Sequence, residues 1–107
     1  PIFVTENGAA FPDPPHATNG VVDDPLRVDY LRRHIAAVRE AMRQGVNVCG
    51  YYVWSLMDNF EWASGYSHRM GLLHVDYTTQ QRTVKTSGTF YKGVIESNGA
   101  QLPEDWR

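Results

Sequence analysis

The chain has 107 residues, of which 42% are hydrophobic and 21% charged, as is typical of a globular protein and not of a disordered or collagen-like one. Its net charge of -2 provides no clustered positive surface for a nucleic acid or an anionic membrane, and it favours a small neutral ligand. No apolar stretch approaches the roughly 18 residues that span a bilayer.

The single cysteine and the first residues lead to two further expectations. Cys49 lies in an apolar run and is expected to be a buried small hydrophobe, which would suit a reducing compartment such as the cytoplasm. Pro1 leads directly into an apolar run, without a starting Met or a signal segment. We therefore expect the chain to be part of a longer protein.

A short strand is predicted first. The β-branched and aromatic run 2–5 is followed by Glu6-Asn7-Gly8, so Glu6 is expected at the C-terminal end of a buried strand. Prolines and glycine then interrupt residues 9–23, which predicts a long irregular loop of the kind that is often functional.

A helix is predicted from Pro25 to about Gln44, with Asp24 as its cap and Gly45 after its end. Its apolar residues recur at spacings of four, three and four, which predicts one buried stripe. The stripe consists of Leu31, Ile35, Val38 and Met42. The arginines of the helix, including Arg27, are expected to be solvated.

The second half of the chain predicts a strand, a hairpin and a helix. The run 46–55, rich in Val and Tyr, predicts a strand buried on both faces, and with the first strand and the helix it completes a βαβ unit. Residues 71–75 and 82–84 are expected to pair as a hairpin. Ser87 is expected to cap a final helix with an apolar stripe, and residues 100–107 are expected to form a loop.

The polar and aromatic residues cluster after the two predicted parallel strands. Glu6 ends the first strand, and the segment from Trp54 to Trp62 follows the second. In barrels of parallel strands, reactive groups stand at the C-terminal strand ends, so both groups are expected at one mouth. Aromatic faces cover the C–H surface of a sugar while carboxylates bind its hydroxyls, so this combination favours a carbohydrate ligand.

Two sequence blocks resemble glycoside hydrolase family 1, the β-glucosidase family. The first is Val4-Thr5-Glu6-Asn7-Gly8, which is similar to the nucleophile motif of that family. The second is Trp54-Ser-Leu-Met-Asp-Asn-Phe-Glu61-Trp62 with the glycines, tyrosines and arginines that follow as far as Arg82. Both blocks occur in the family's order, and the resemblance extends over nearly the whole chain.

The resemblance implies the C-terminal portion of an α/β protein with a (β/α)8 TIM barrel. Residues 1–107 would supply strand 7, helix 7, strand 8, a hairpin and helix 8 of a single barrel domain that is incomplete on its own. Glu6 would be the nucleophile of a retaining, double-displacement mechanism. The second carboxyl, the acid/base, lies in an Asn-Glu-Pro motif of the family that does not occur here, so the chain alone is expected to be inactive.

The same resemblance assigns the sugar pocket. Glu61 would bind two hydroxyls at the far end of the sugar, Trp62 would donate its indole N–H to a neighbouring hydroxyl, and Trp54 would form the aromatic floor. Met70 stands beside the pocket where the family usually has Phe, which implies a reshaped fit. Read without the family pattern, Glu61 would equally suit a solvated loop carboxylate, and the tryptophans would suit core packing.

The resemblance and the residues together define the expected ligands and one alternative. The substrate would be a terminal β-D-glucoside, or a β-galactoside or β-fucoside, and the partner would be the missing N-terminal part of the barrel. The carboxylate of Glu61 would repel a 6-phosphate, which disfavours phospho-sugars. The four histidines are too scattered for a metal site, and no cofactor is expected. The alternative is a noncatalytic sugar-binding relative that lacks the acid/base.

Overall fold

A parallel βαβ unit forms the first half of the chain. The computed structural model describes residues 1–104, and in it strand β1 (Ile2–Asn7) leads to helix α1 (Pro25–Arg43) and strand β2 (Val48–Val53). The two strands pair in parallel, as the sequence predicted. Strand β1 extends to Asn7 and so includes Glu6, whereas β2 is shorter at both ends than the predicted run 46–55.

Helix α1 lies on one face of this two-stranded sheet. Tyr30 of the helix and Tyr51 of β2 are both hydrogen-bonded to the side chain of Asn7 on β1. Phe3 and Tyr52 lie on the opposite face and are 53% and 58% exposed. The expectation of burial on both faces is therefore wrong within residues 1–104, because no second layer of the described chain covers that face.

Cys49 is exposed, which corrects the expectation of a buried thiol. It lies at an irregularity of the strand pairing, where Ile2 pairs with Val48 and the next residue, Phe3, pairs with Gly50. A residue at such an irregularity leaves the regular alternation of the strand, so an apolar run does not determine its burial.

Helix α1 begins at Pro25, as predicted, and buries Leu31 and Ala36. Two expectations for its first turn are wrong. The carboxylate of Asp24 does not bond to the free N–H groups of α1, because it binds other partners instead. One of them is Arg27, which is 1% exposed and not solvated.

A hairpin and a second helix complete the described chain. Strands β3 (Leu73–Val75) and β4 (Arg82–Val84) pair in antiparallel fashion, which confirms the predicted hairpin. Helix α2 (Thr86–Glu96) follows. Ser87 lies inside its first turn and is not its cap, because its N–H and hydroxyl both donate to Asp24.

The end of the described chain packs against α1. Arg39 donates hydrogen bonds to the backbone carbonyls of Leu102 and Pro103, so the segment after α2 is held close to α1. Of the predicted C-terminal loop, residues 105–107 lie outside the described residues. Within residues 1–104, neither helix has the length and hydropathy needed to cross a membrane.

Candidate active site

The C-terminal ends of β1 and β2 meet at one edge of the sheet. Asn7 pairs with Val53, and the backbone N–H of Trp54 donates to the carbonyl oxygen of Asn7 over 2.9 Å. Glu6 immediately precedes Asn7, and its side chain is exposed. The structure therefore places Glu6 and Trp54 at the same edge, as the parallel pairing predicted.

The side chain of Asn7 connects this edge to its surroundings. Its Nδ2 donates to the Tyr30 hydroxyl over 3.2 Å, and its Oδ1 accepts from the Tyr51 hydroxyl over 2.5 Å. Burial, with the nearby hydroxyls of Tyr30 and Tyr91, raises the pKa of Tyr51 above its ordinary value. The Tyr51 hydroxyl therefore stays protonated and remains a donor, which fixes the residue next to Glu6.

Trp54 and Glu61 are in direct contact. The indole Nε1–H of Trp54 donates to Oε1 of Glu61 over 3.1 Å, and the ring is 36% exposed. A single turn of 3-10 helix (Trp62–Ser64) follows, and the Trp62 side chain is 86% exposed. A half-buried carboxylate and two accessible indole rings therefore lie together at this edge, where they can bind hydroxyl groups and the apolar face of a ring.

Met70 lies on the return path of the same loop. The N–H of Ser55 donates to the Met70 carbonyl oxygen over 3.1 Å, so the segment that follows Trp54 runs beside Met70. The peptide bond between Trp54 and Ser55 is cis. We refer to residues 54–71 as the aromatic loop.

Asp58 organises the interior of the aromatic loop. One carboxylate oxygen accepts from the N–H of Gly71 over 3.0 Å and from Lys85 Nζ over 2.7 Å. The other accepts from Arg69 Nη1 over 2.6 Å and from the N–H of Val75 over 3.3 Å. Asp58 is 3% exposed, so its carboxylate structures the loop from the inside.

Asp58 belongs to a buried group of six alternating charges, which we call the charge cluster. Lys85 Nζ lies 2.5 Å from Asp13 Oδ2, and Arg27 Nη1 lies 2.9 Å from Asp13 and 2.5 Å from Asp24. The side chains of Lys85, Asp13, Arg27 and Asp24 are all at most 1% exposed. The cluster consists of Asp13, Asp24, Arg27, Asp58, Arg69 and Lys85.

The charge cluster joins the loops that follow the two strands. Asp13 lies in the loop after β1, and Asp58 and Arg69 lie in the aromatic loop after β2. Arg27 Nη2 also donates to the Arg69 carbonyl over 2.7 Å, and Phe11 and Arg69 form an antiparallel backbone bridge. The two loops are thus held to one another at the edge that carries Glu6.

The cluster changes the acidity of two groups. Burial by itself raises the pKa of Asp58, but hydrogen bonds and charge from Lys85 and Arg69 outweigh it, so the pKa lies below its ordinary value. Burial lowers the pKa of His74, and the charge of Arg69 adds to the effect. Neutral His74 donates from Nε2 to the Pro15 carbonyl over 3.1 Å, which ties the hairpin to the loop after β1.

The predicted site residues lie apart from the cavity that the described part of the chain forms beside the aromatic loop. A cavity of about 470 Å³ lies beside the aromatic loop, lined by Phe60, Tyr66, Tyr77 and other residues. None of the five predicted site residues lines it. These five are Glu6, Trp54, Glu61, Trp62 and Met70.

Sequence reasoning missed the charge cluster. Lys85 and Asp13 are 72 positions apart, and neither lies in a pattern that predicts burial. A weak signal existed, because Asp13 stands between two prolines in a loop and Asp58 lies inside an aromatic segment. Such positions often hold a polar residue that is hydrogen-bonded inside the protein.

Comparison with known proteins identifies the family. The sequence profile of Glycosyl hydrolase family 1 matches residues 1–100. The chain belongs to glycosyl hydrolase family 1. This confirms the resemblance that the motifs indicated.

Individual members of family 1 are similar over most of this chain. The 1,4-beta-D-glucan glucohydrolase of Thermotoga neapolitana is 54% identical over 98 residues, which are 92% of this chain and 22% of that protein. A 6-phospho-beta-galactosidase of Staphylococcus haemolyticus is 45% identical over 90% of this chain and 20% of that protein. The chain therefore spans about a fifth of the length of these relatives.

A solved family 1 structure has the same backbone arrangement. The β-glucosidase from Thermotoga maritima in complex with deoxynojirimycin superposes with a TM-score of 0.88 at 52% identity. The superposition covers 92% of this chain and 22% of that one. The family is thus one of glycoside hydrolases, and its solved members include complexes with sugar-like inhibitors.

Proposed function

We propose that this chain is the C-terminal part of a retaining β-glycosidase that hydrolyses terminal β-D-glucosyl, β-galactosyl or β-fucosyl residues. It supplies the last two βα units of a (β/α)8 barrel, and Glu6 is the nucleophile. Trp54, Glu61, Trp62 and Met70 bind the sugar. One observation carries the proposal: the carbonyl of Asn7 accepts the Trp54 N–H, so Glu6 and the aromatic loop share one edge.

The chemistry requires a second carboxyl from outside this chain. Glu6 attacks the anomeric carbon and forms a glycosyl-enzyme ester while a second carboxylic acid protonates the leaving oxygen. That second group then takes a proton from water, which hydrolyses the ester and regenerates Glu6. In retaining enzymes the two carboxyl groups stand about 5 to 5.5 Å apart, so the rest of the barrel must bring the partner to this edge.

The exposed face of the sheet supports the need for a larger protein. Phe3 and Tyr52 are more than half exposed, whereas parallel strands in complete α/β proteins are covered on both faces. The relatives are about four and a half times as long as the matched segment, since it makes up 22% of each. We propose that the missing strands close the barrel against this face.

The test is a chimera that supplies the missing part. The chain replaces the segment that it matches in the Thermotoga maritima β-glucosidase, which is 52% identical over that segment, and we call this protein the completed barrel. We expect it to hydrolyse an aryl β-glucoside, and Glu6→Gln to lower kcat on the order of 10³-fold or more. The chain alone is expected to be inactive.

The same experiment tests the nucleophile, whereas the acid/base of the completed barrel comes from the Thermotoga maritima enzyme. Retention of full activity by Glu6→Gln would show that the nucleophile is wrongly assigned. The noncatalytic alternative is tested on the missing part of this protein: a residue other than Glu in its Asn-Glu-Pro context would favour that alternative, and Glu there would favour the enzyme.

The carboxylate of Glu61 favours neutral sugars over 6-phosphorylated ones. Like charges brought together in a binding site repel, and Glu61 is held at the site by its bond from Trp54. We expect the completed barrel to prefer an aryl β-glucoside over its 6-phosphate by at least about tenfold in kcat/KM. Glu61→Gln should reduce the ratio of the two kcat/KM values. An unchanged ratio would show that the Glu61 carboxylate does not repel the 6-phosphate.

A further inference from the structure

Lys85 occupies the centre of the charge cluster. Its side chain is fully buried, and Nζ lies 2.5 Å from Asp13 Oδ2 and 2.7 Å from Asp58 Oδ1. It immediately precedes α2, and its backbone forms a parallel bridge with Val22 of the loop after β1 and donates its N–H to the Leu72 carbonyl. A single ammonium group thus binds one carboxylate from the loop after β1 and one from the aromatic loop.

Asp58 transmits this contact to the aromatic loop. It stands three residues before Glu61 and accepts the N–H groups of Gly71 and Val75, which lie at and beyond the other end of that loop. The Asp58 N–H itself donates to the Leu73 carbonyl. Both ends of the segment that contains Glu61 therefore depend on the position of one carboxylate.

The charge balance of the cluster depends on Lys85. The cluster contains three carboxylates and three cations, all within the described chain. Removal of Lys85 leaves an excess negative charge between Asp13 and Asp58, and repulsion would push the two loops apart. Buried ion pairs are weak evidence of stability, but they can select one arrangement among several of similar energy.

We propose that Lys85 is a positioning residue for the sugar site, and that it acts through Asp58 to hold Glu61 at the edge that carries Glu6. This inference rests on the proposed function. Lys85 itself does not touch the sugar, because it is fully buried. Its contribution is to fix the distance between the groups that do.

The test is Lys85→Met in the completed barrel. Lys92→Met is the matched control, since Lys92 lies on α2, is exposed and forms an ion pair with Glu96 one turn further along the same helix. We expect Lys85→Met to weaken deoxynojirimycin binding and raise KM on the order of tenfold, with a smaller fall in kcat. Lys92→Met should change neither quantity by more than about twofold.

A double-mutant cycle with Glu61→Gln distinguishes positioning from general stability. If Lys85 acts on the sugar through Glu61, the double variant should bind deoxynojirimycin about as weakly as Glu61→Gln alone. Binding losses that simply add would overturn the inference, as would a Lys85→Met variant that binds like Lys92→Met. If Lys85→Met does not fold, Asp58→Asn is measured in the same cycle with the same two outcomes.

Failure of the inference differs from failure of the proposed function. An unmutated completed barrel that neither binds nor hydrolyses would overturn the proposed function, and this inference would fall with it. If the completed barrel is active and its Lys85→Met variant binds deoxynojirimycin as tightly as the unmutated protein, only the inference is overturned.

Discussion

The backbone carbonyl of Trp54 lies against the α-carbon of Gly8. A β-carbon at Gly8 would come within 1.8 Å of the Trp54 carbonyl oxygen, far closer than two unbonded atoms can approach. The neighbour is backbone that is already bonded to Asn7, so it cannot move aside without breaking the strand ends apart. This contact makes glycine obligatory two residues after Glu6.

We therefore expect Gly8→Ala to destabilise the completed barrel. The clash should cost about 2 to 3 kcal/mol, since overpacking against fixed atoms lowers stability by that order. Because the distortion falls at the strand end, kcat on an aryl β-glucoside should also fall. Thermal unfolding and steady-state kinetics measure the two effects.

Gly20→Ala is the control for that substitution. A β-carbon there has nothing within 4 Å, although Gly20 has a positive φ of 74°. Its cost should be about 1 kcal/mol from backbone strain alone, without loss of kcat. Equal effects of the two substitutions would contradict the importance of the Gly8 contact.

The bond from Tyr51 to Asn7 should contribute to catalysis. Tyr51→Phe removes the 2.5 Å bond to Asn7 Oδ1 and leaves that oxygen without this donor. We expect a loss of about 1 kcal/mol in stability and a several-fold fall in kcat, because Asn7 adjoins Glu6. Tyr91→Phe removes a comparable bond to the Tyr51 carbonyl and should lower stability without lowering kcat.

The indole N–H of Trp54 should orient Glu61. Trp54→Phe keeps an aromatic ring at this position but removes the donor to Glu61 Oε1. We expect KM for an aryl β-glucoside to rise about threefold to tenfold, since a hydrogen bond to a charged group contributes roughly 1 kcal/mol or more. An unchanged KM would show that Glu61 does not depend on Trp54 for its position.

The pair of Asp58 and Lys85 should make stability depend on acid pH. In the folded protein the pKa of Asp58 lies below its ordinary 3.8, so the unfolded chain binds its proton more readily. The stabilisation is complete above pH 3.8 and is lost as the pH falls through the folded pKa. At low pH the carboxyl of Asp58 is protonated and neutral, so it has no charge for the Lys85 ammonium group to compensate.

Lys85→Met should therefore lower Tm most at neutral pH. At neutral pH the free energy of unfolding of the variant should lie about 3 kcal/mol below that of the unmutated completed barrel. This difference should shrink below pH 3.8. Lys92→Met should show no such dependence, because its ion pair is exposed. A difference in the free energy of unfolding that stays constant from pH 7 to the acid range would show that the Lys85 charge does not act on the Asp58 carboxylate.

Local patterns in the sequence predicted the elements that depend on neighbours along the chain. Pro25 and Gly45 bounded α1 because proline is tolerated in a first helical turn and glycine ends one. The β-branched and aromatic runs predicted β1 and β2, and the hairpin followed from two short apolar segments. Glu6 at a strand end and the Trp54 to Trp62 block predicted the sugar site and the family.

Only the tertiary structure decided where the charges of this chain reside. Arg27 lies in a helical pattern typical of a solvated face, and Asp24 in the position of a helix cap, yet both are buried against residues from distant segments. Lys85 and Asp13 meet across 72 positions. Periodicity and capping describe interactions within a few residues, whereas a buried ion pair depends on which distant segments the fold brings together. The sequence by itself therefore determined the elements, the family and the candidate nucleophile, and the fold decided which polar groups hold them in place.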